Sequence, residues 1–169
     1  MNPLVSVIMG STSDLPIMEK AAKQLNEMEV PFELIALSAH RTPKDVADFA
    51  TQAEERGVRV IIAAAGMAAH LPGVIASMTT LPVIGVPIKS SVEGIDALLS
   101  IVQMPPGIPV ATVGINAAQN AALLACQILS ESNPNIASRM AAYKESLKSK
   151  IRKANEELSQ IKDYQFKTN

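Results

Sequence analysis

Five short apolar runs rich in β-branched residues, VSVIM (5–9), FELIAL (32–37), VRVIIAAA (58–65), PVIGVP (82–87) and PVATVGI (109–115), alternate with stretches of helical periodicity. Strands apolar on both faces and separated by helices form a parallel sheet covered on both sides, because each parallel crossover needs a connecting element long enough to bury a sheet face. The pattern predicts an α/β protein built on a five-stranded parallel sheet. At 169 residues one core suffices, since a chain of that length buries roughly 70% of its unfolded surface in a single domain. No internal repeat, low-complexity segment or linker divides it, so one domain over 1–169 is expected.

The intervening segments carry helix signals. After Asp14, Leu15, Met18, Ala22 and Leu25 recur at helical spacing, with Asp14 placed to cap the N-terminus. Thr42, Pro43 and Asp45 read as a cap, a first-turn proline and the acidic member of a capping box. A longer stripe runs from Ile136 through Met140, Tyr143, Leu147, Ile151, Ala154, Leu158 and Ile161. A helix over 136–161 would extend roughly 40 Å at ~1.5 Å per residue. That is more than a small domain needs, so packing on a neighbouring subunit is expected, with a frayed tail as the alternative.

No run of about 20 apolar residues exists to cross a bilayer. The N-terminus enters a strand without a basic region or a small-residue cleavage site, so a cytoplasmic location is expected. Net charge is −1, divided as −5 over 1–138 and +4 over 139–169. Acids interleave with the basic tail, which reads as a solvated helix face rather than a nucleic-acid surface. The single Cys126, in an Ala/Leu helix, reads as a small buried hydrophobe.

In open parallel sheets, ligands bind outside the carboxyl ends of the strands. The loops to inspect are therefore GSTSD (10–14), SAHRT (38–42), AAGMAAHLPG (64–73), KSSVEG (89–94) and MPPG (104–107), and both histidines of the chain, His40 and His70, fall among them. Ser11, Ser13 and Asp14 offer hydroxyls and backbone N–H groups at a helix start, either a phosphate seat or a polar capped turn. Arg41 either holds a phosphate through two parallel hydrogen bonds or makes a surface ion pair. His40 has the side chain that exchanges protons near neutral pH, while His70 is open between a structural and a functional role. Metal ligation is poorly served, since the histidines are far apart in sequence and lack partners at ligand spacing. No G-x-S-x-G elbow, P-loop or dinucleotide fingerprint occurs. The aromatic residues Phe32, Phe49, Tyr143, Tyr164 and Phe166 lie outside these loops, which argues against a flavin site.

Taken together, IMGSTSD, SAHRTP, AAHLPG, LPVIGVP and SIVQMPPGIPVATV resemble, in order and spacing, the PurE family of the purine pathway, in its bacterial N5-carboxyaminoimidazole ribonucleotide mutase branch. The likeness spans about 4–130. It implies a flavodoxin-like three-layer αβα fold, assembled as a homo-octamer with active sites at subunit interfaces, which would give the C-terminal helix a surface to lie on. It implies transfer of a carboxylate from the exocyclic nitrogen of an imidazole ribonucleotide to ring carbon 4, with carbon dioxide as intermediate and no metal, ATP or organic cofactor. A carbamate-forming ATP-dependent synthetase of the PurK type would supply the substrate. By this resemblance Ser11, Ser13 and Asp14 form the first nucleotide-binding loop, with Asp14 on the ribose hydroxyls. Ser38 and Arg41 form the second, with Arg41 on the 5′-phosphate. His40 is the catalytic histidine, and His70 lies in the loop closing over base and carboxylate.

The chain departs from the family's usual AGAGGAAH at Ala64 and Met67, which replace two glycines. Met67 introduces a side chain where the backbone is expected to approach substrate or adopt positive φ. Two rival readings follow: a direct carboxylase using free carbon dioxide, whose members usually carry Lys after the histidine and lack AHLPG, and a catalytically silent nucleotide-binding scaffold.

Overall fold

The computed structural model describes residues 2–165, so Phe166 lies outside the described residues. Five strands, β1 (Val5–Met9), β2 (Phe32–Ala36), β3 (Val60–Gly66), β4 (Val83–Ile88) and β5 (Ala111–Thr112), form one sheet. All pairings are parallel. Their order is β2-β1-β3-β4-β5, the flavodoxin-like arrangement. Every residue of β1 and β4 is buried, as two-sided coverage demands.

Two apolar layers result from alternation along the strands. One places Val5, Val7, Ile62, Ile84 and Val86 against α1 (Leu15–Glu27) and α5 (Ala118–Ser130). The other places Ile8, Ile61, Ala63 and Val83 against α2 (Pro43–Gln52), α3 (Leu71–Ala76) and α4 (Ile95–Val102). Gly85 is required on this second side, because a β-carbon there would strike the side chain of Ile101. Cys126 is fully buried, and that burial pushes its thiol pKa up to about 11.

The structure corrects several local expectations. β5 covers two residues instead of seven: Pro109 has no N–H for a ladder, and beyond Thr112 only single backbone bonds reach β4, from Val113 N–H to Gly85 O at 3.2 Å and from Asn116 N–H to Pro87 O at 2.8 Å. Asp14 makes no side-chain cap on α1, and Ser11 instead accepts from Ser13 N–H at a short 3-10 turn, Thr12–Asp14. Thr42 likewise caps nothing with its side chain. Its hydroxyl accepts from Ser38 N–H at 3.1 Å and donates to Ser38 O at 3.2 Å, closing the loop before α2. The buried face of α1 is Met18, Ala21, Gln24 and Leu25, while Leu15 is exposed.

The final helix, α6, spans Pro134–Ser159, and Asn133 caps it by accepting from Asn135 and Ile136 N–H. Only Ile136 and Met140 are buried on this helix. Farther along the same stripe Leu147 and Ile151 are 42% and 65% exposed. No helix among the described residues is long and apolar enough to cross a membrane.

Candidate active site

Strands β2 and β3 both pair with β1, at opposite edges, with Met9 opposite Ala36 on one side and Ala64 on the other. All three strands therefore end at one level, and their following loops emerge side by side, β2 and β3 about 10 Å apart at two strand spacings. This is the crevice where the strand order reverses. Gly10 follows β1 there, its backbone bridging both neighbours: Gly10 N–H donates to Ala64 O at 3.3 Å, and Gly10 O accepts from an Arg41 guanidinium N–H at 2.6 Å.

A cavity of about 620 Å³ opens at this point, and it takes residues from the loops after β1, β2, β3 and β4. The size suits a small organic ligand. Ser11, Ser13, Asp14, Ser38, His40, Arg41 and His70 all line it, so tertiary structure gathers every candidate residue into one place. MPPG (104–107) is the inspected loop that does not contribute.

Arg41 is held before any ligand arrives. Its Nε donates to Ser38 Oγ at 3.2 Å, and the same hydroxyl accepts from Arg41 backbone N–H at 3.2 Å. With Nη2 on Gly10 O, the guanidinium plane is fixed while Nη1 has no protein partner among the described residues. A second hollow, about 370 Å³, lies against Arg41 and is walled by Gly10, Ser11, Thr12, Ser38 and Thr42. Hydroxyls, backbone and a fixed guanidinium around one hollow form an anion-holding set.

Asp14 accepts from Ser13 Oγ at 3.4 Å. Partial burial raises its carboxyl pKa above the ordinary 3.8, against smaller lowering effects of the Ser13 hydroxyl and the Ser11 backbone. Without a capping bond, this carboxylate keeps acceptor capacity facing the cavity. In the same cavity His40 Nε2 and His70 Nδ1 share a hydrogen bond of 2.7 Å, with the rings edge to face at 78°. Among the described residues no group of three or more His, Cys, Asp or Glu side chains is placed to hold a metal ion.

Ile17, Ile88, Lys89 and Ser90 also line the cavity, although no motif in the sequence marks them individually. Lys89 and Ser90 stood in an inspected loop, but only the pairing of Gly66 with Ile88 brings that loop beside 66–70. The two departures from the family pattern separate here. Ala64 is a fully buried strand residue away from the cavity, whereas Met67 lines it, at φ 54° and 60% exposed.

Comparison with known proteins agrees with this geometry. The family model described as AIR carboxylase matches residues 4–150. N5-carboxyaminoimidazole ribonucleotide mutase of Pyrococcus abyssi is 60% identical over 147 residues, 86% of this chain and 84% of that one. The protein of the same name from Thermotoga maritima is 54% identical over 160 residues, 94% of each chain. A crystal structure of Treponema denticola PurE superposes with a TM-score of 0.85 at 33% identity, covering 94% of this chain and 99% of that one. A match running from the first strand into the last helix, over a crevice assembled from the loops that carry the motifs, leaves one conclusion: the chain belongs to the AIR carboxylase family.

Proposed function

We propose that this protein is an N5-carboxyaminoimidazole ribonucleotide mutase, moving the carboxylate of an imidazole ribonucleotide carbamate from the exocyclic nitrogen to ring carbon 4. The observation that carries the reading is the shared cavity wall: a proton-exchanging His40, a pre-bonded Arg41 and an uncapped Asp14. The relatives' names point to the same reaction.

Each group has a place in the chemistry. Arg41, with Ser38 behind it, takes the 5′-phosphate through its free Nη1 edge. Asp14 accepts from the ribose hydroxyls, and Ser11 and Ser13 complete that loop. When the carbamate C–N bond breaks, carbon dioxide leaves and His40 gives a proton to the nitrogen. The amino group makes carbon 4 electron-rich, so this carbon attacks the trapped carbon dioxide, and His40 then removes the ring proton. One proton carrier serves both halves and returns to its starting state. Ala65, Gly66 and Ala68, small residues on the cavity wall, leave room for carbon dioxide and keep the fragments within bonding reach.

The outer half of α6, with Leu147 and Ile151 exposed, packs on a neighbouring subunit of a homo-octamer, and an equilibrium sedimentation mass of eight chains is the expected result. The unstable carbamate comes from an ATP-dependent synthetase of the PurK type working in the same cytoplasm.

The deciding experiment supplies purified protein with freshly generated carbamate at low bicarbonate and, separately, with aminoimidazole ribonucleotide plus bicarbonate, both without ATP. Ring-carboxylated product from the first mixture is expected. Product only from the second would make the protein a direct carboxylase, and nucleotide binding with no turnover in either would make it a silent scaffold.

A further inference from the structure

His40 and His70 are 30 residues apart in sequence, yet their hydrogen bond is the sole protein contact of this kind for either ring among the described residues. Ring centroids stand 4.9 Å apart with planes at 78°. An imidazole N–H lies in its own ring plane, and the lone pair it meets lies in the plane of the other ring. The 2.7 Å contact between Nε2 and Nδ1 therefore sets the angle of each ring as well as its distance. It also couples the tautomers, because one of the two facing nitrogens must carry hydrogen and the other a lone pair.

We propose that His70 is the positioning residue of His40: His70 Nδ1 accepts from His40 Nε2–H throughout the reaction, which leaves His40 Nδ1 as the nitrogen that exchanges a proton with substrate. The inference rests on the mutase reading for its chemistry, though not for its geometry. At the start His40 carries hydrogen on both nitrogens. Its Nδ1 proton passes to the substrate nitrogen as the C–N bond breaks and carbon dioxide departs, leaving neutral His40 with Nε2–H still on His70. Ring carbon 4 then bonds carbon dioxide, and the proton it loses returns to Nδ1. The anchoring bond persists through both states, as an ionised donor before and after and a neutral donor between. A carrier that both gives and takes needs that constancy, since a ring displaced by about 1 Å can lose on the order of 100-fold in rate.

Two variants and one spectrum test this. His70→Leu removes the acceptor, whereas His70→Asn keeps an amide oxygen near the position of Nδ1. The expected result is a loss of about 10- to 100-fold in kcat for His70→Leu with KM within about threefold of wild type, and recovery of most of that loss in His70→Asn. In 15N spectra of the imidazoles, neutral His40 should carry its hydrogen on Nε2 in wild type and His70→Asn, and lose that preference in His70→Leu. Wild-type kcat in His70→Leu, a change in KM alone, or equal loss in both variants would overturn the proposal. So would neutral His40 protonated on Nδ1 in wild type. If His70→Leu does not fold, His70→Asn and the wild-type spectrum decide. Should wild type fail to turn over the carbamate, the mutase reading fails by itself, and the spectrum still decides the His40–His70 arrangement.

Discussion

The loop after β2 and the loops after β3 and β4 face one cavity but are built in opposite ways. In residues 38–42 no backbone angle is left-handed, and side chains of the loop itself tie it together, Thr42 to Ser38 and Ser38 to Arg41. In the other two, Met67, Val92 and Glu93 sit at φ 54°, 44° and 56°, followed by Gly94 at 86°. Left-handed backbone costs an L-residue roughly 1–2 kcal/mol, and a β-branched residue such as Val92 is the least suited to it. The ion pair of Lys89 with Glu93 and the hydrogen bond of Ser91 with Asp96 help to hold the second loop in that shape. One side of the cavity is thus a relaxed anchor and the other a strained wall. Substitutions in the anchor should change turnover with little effect on stability, and backbone substitutions in the wall should change stability.

The sharpest test of the anchor is His40→Asn. On the proposed role of His40 as proton carrier, this variant should lower kcat by about 1,000-fold or more, with ribonucleotide binding and the denaturation midpoint near wild type. Steady-state kinetics beside calorimetric binding measures both, and full activity would remove His40 from the proton path. For the wall, Gly94→Ala should cost about 2 kcal/mol of stability in urea unfolding. Its new β-carbon would stand 2.9 Å from Ile115 Cγ2 and 3.1 Å from Lys89 Cα, at a φ suited to glycine. An unchanged midpoint would mean that the loop shifts freely and the contrast between the two sides is wrong.

Smaller effects refine the comparison. Met67→Gly relieves a left-handed residue but frees the unfolded chain, so a net gain of about 0.5 kcal/mol is expected by the same unfolding measurement; destabilisation would show that Met67 contributes packing instead. Asp14 should give the smallest change. Its folded-state pKa lies above 3.8, so between those values the native state binds more protons than the unfolded state. Stability then falls as pH rises through that window, and the cost is fully present at neutrality. Asp14→Asn should therefore melt slightly higher than wild type at pH 7, and the difference should close below pH 3.8. A gap that widens in acid would reverse the assigned cause.

Much of this was legible in the residues because it is local chemistry. β-branched runs and helical stripes mark where elements begin to within a few residues, as VSVIM and β1 show by coinciding. Loops at strand ends could be listed from that alone, and they hold all seven candidate side chains. The capping expected of Asp14 and Thr42 is absent for a physical reason. A short polar side chain at a helix start has several partners within reach, and the turn geometry, invisible in composition, selected Ser11 for the first turn and Ser38 as the partner of Thr42. The short β5 was hidden because Val110, Ala111 and Thr112 have strand-like side chains, while Pro109 limits the ladder they could join.

By itself the sequence determined the layered α/β architecture, the identity of the loops at the carboxyl ends and the residue types able to hold a phosphate or carry a proton. Periodicity and turn chemistry are short-range properties, and a chain segment carries them wherever it is placed. Only the tertiary structure decided that His40 meets His70, that Arg41 is fixed on Gly10 before ligand arrives, and that Lys89 and Ser90 join the cavity. Those contacts depend on strand order. With β1 between β2 and β3 and β4 beyond, burial of the whole sheet brings distant loops to one edge, and no local pattern encodes which loops become neighbours.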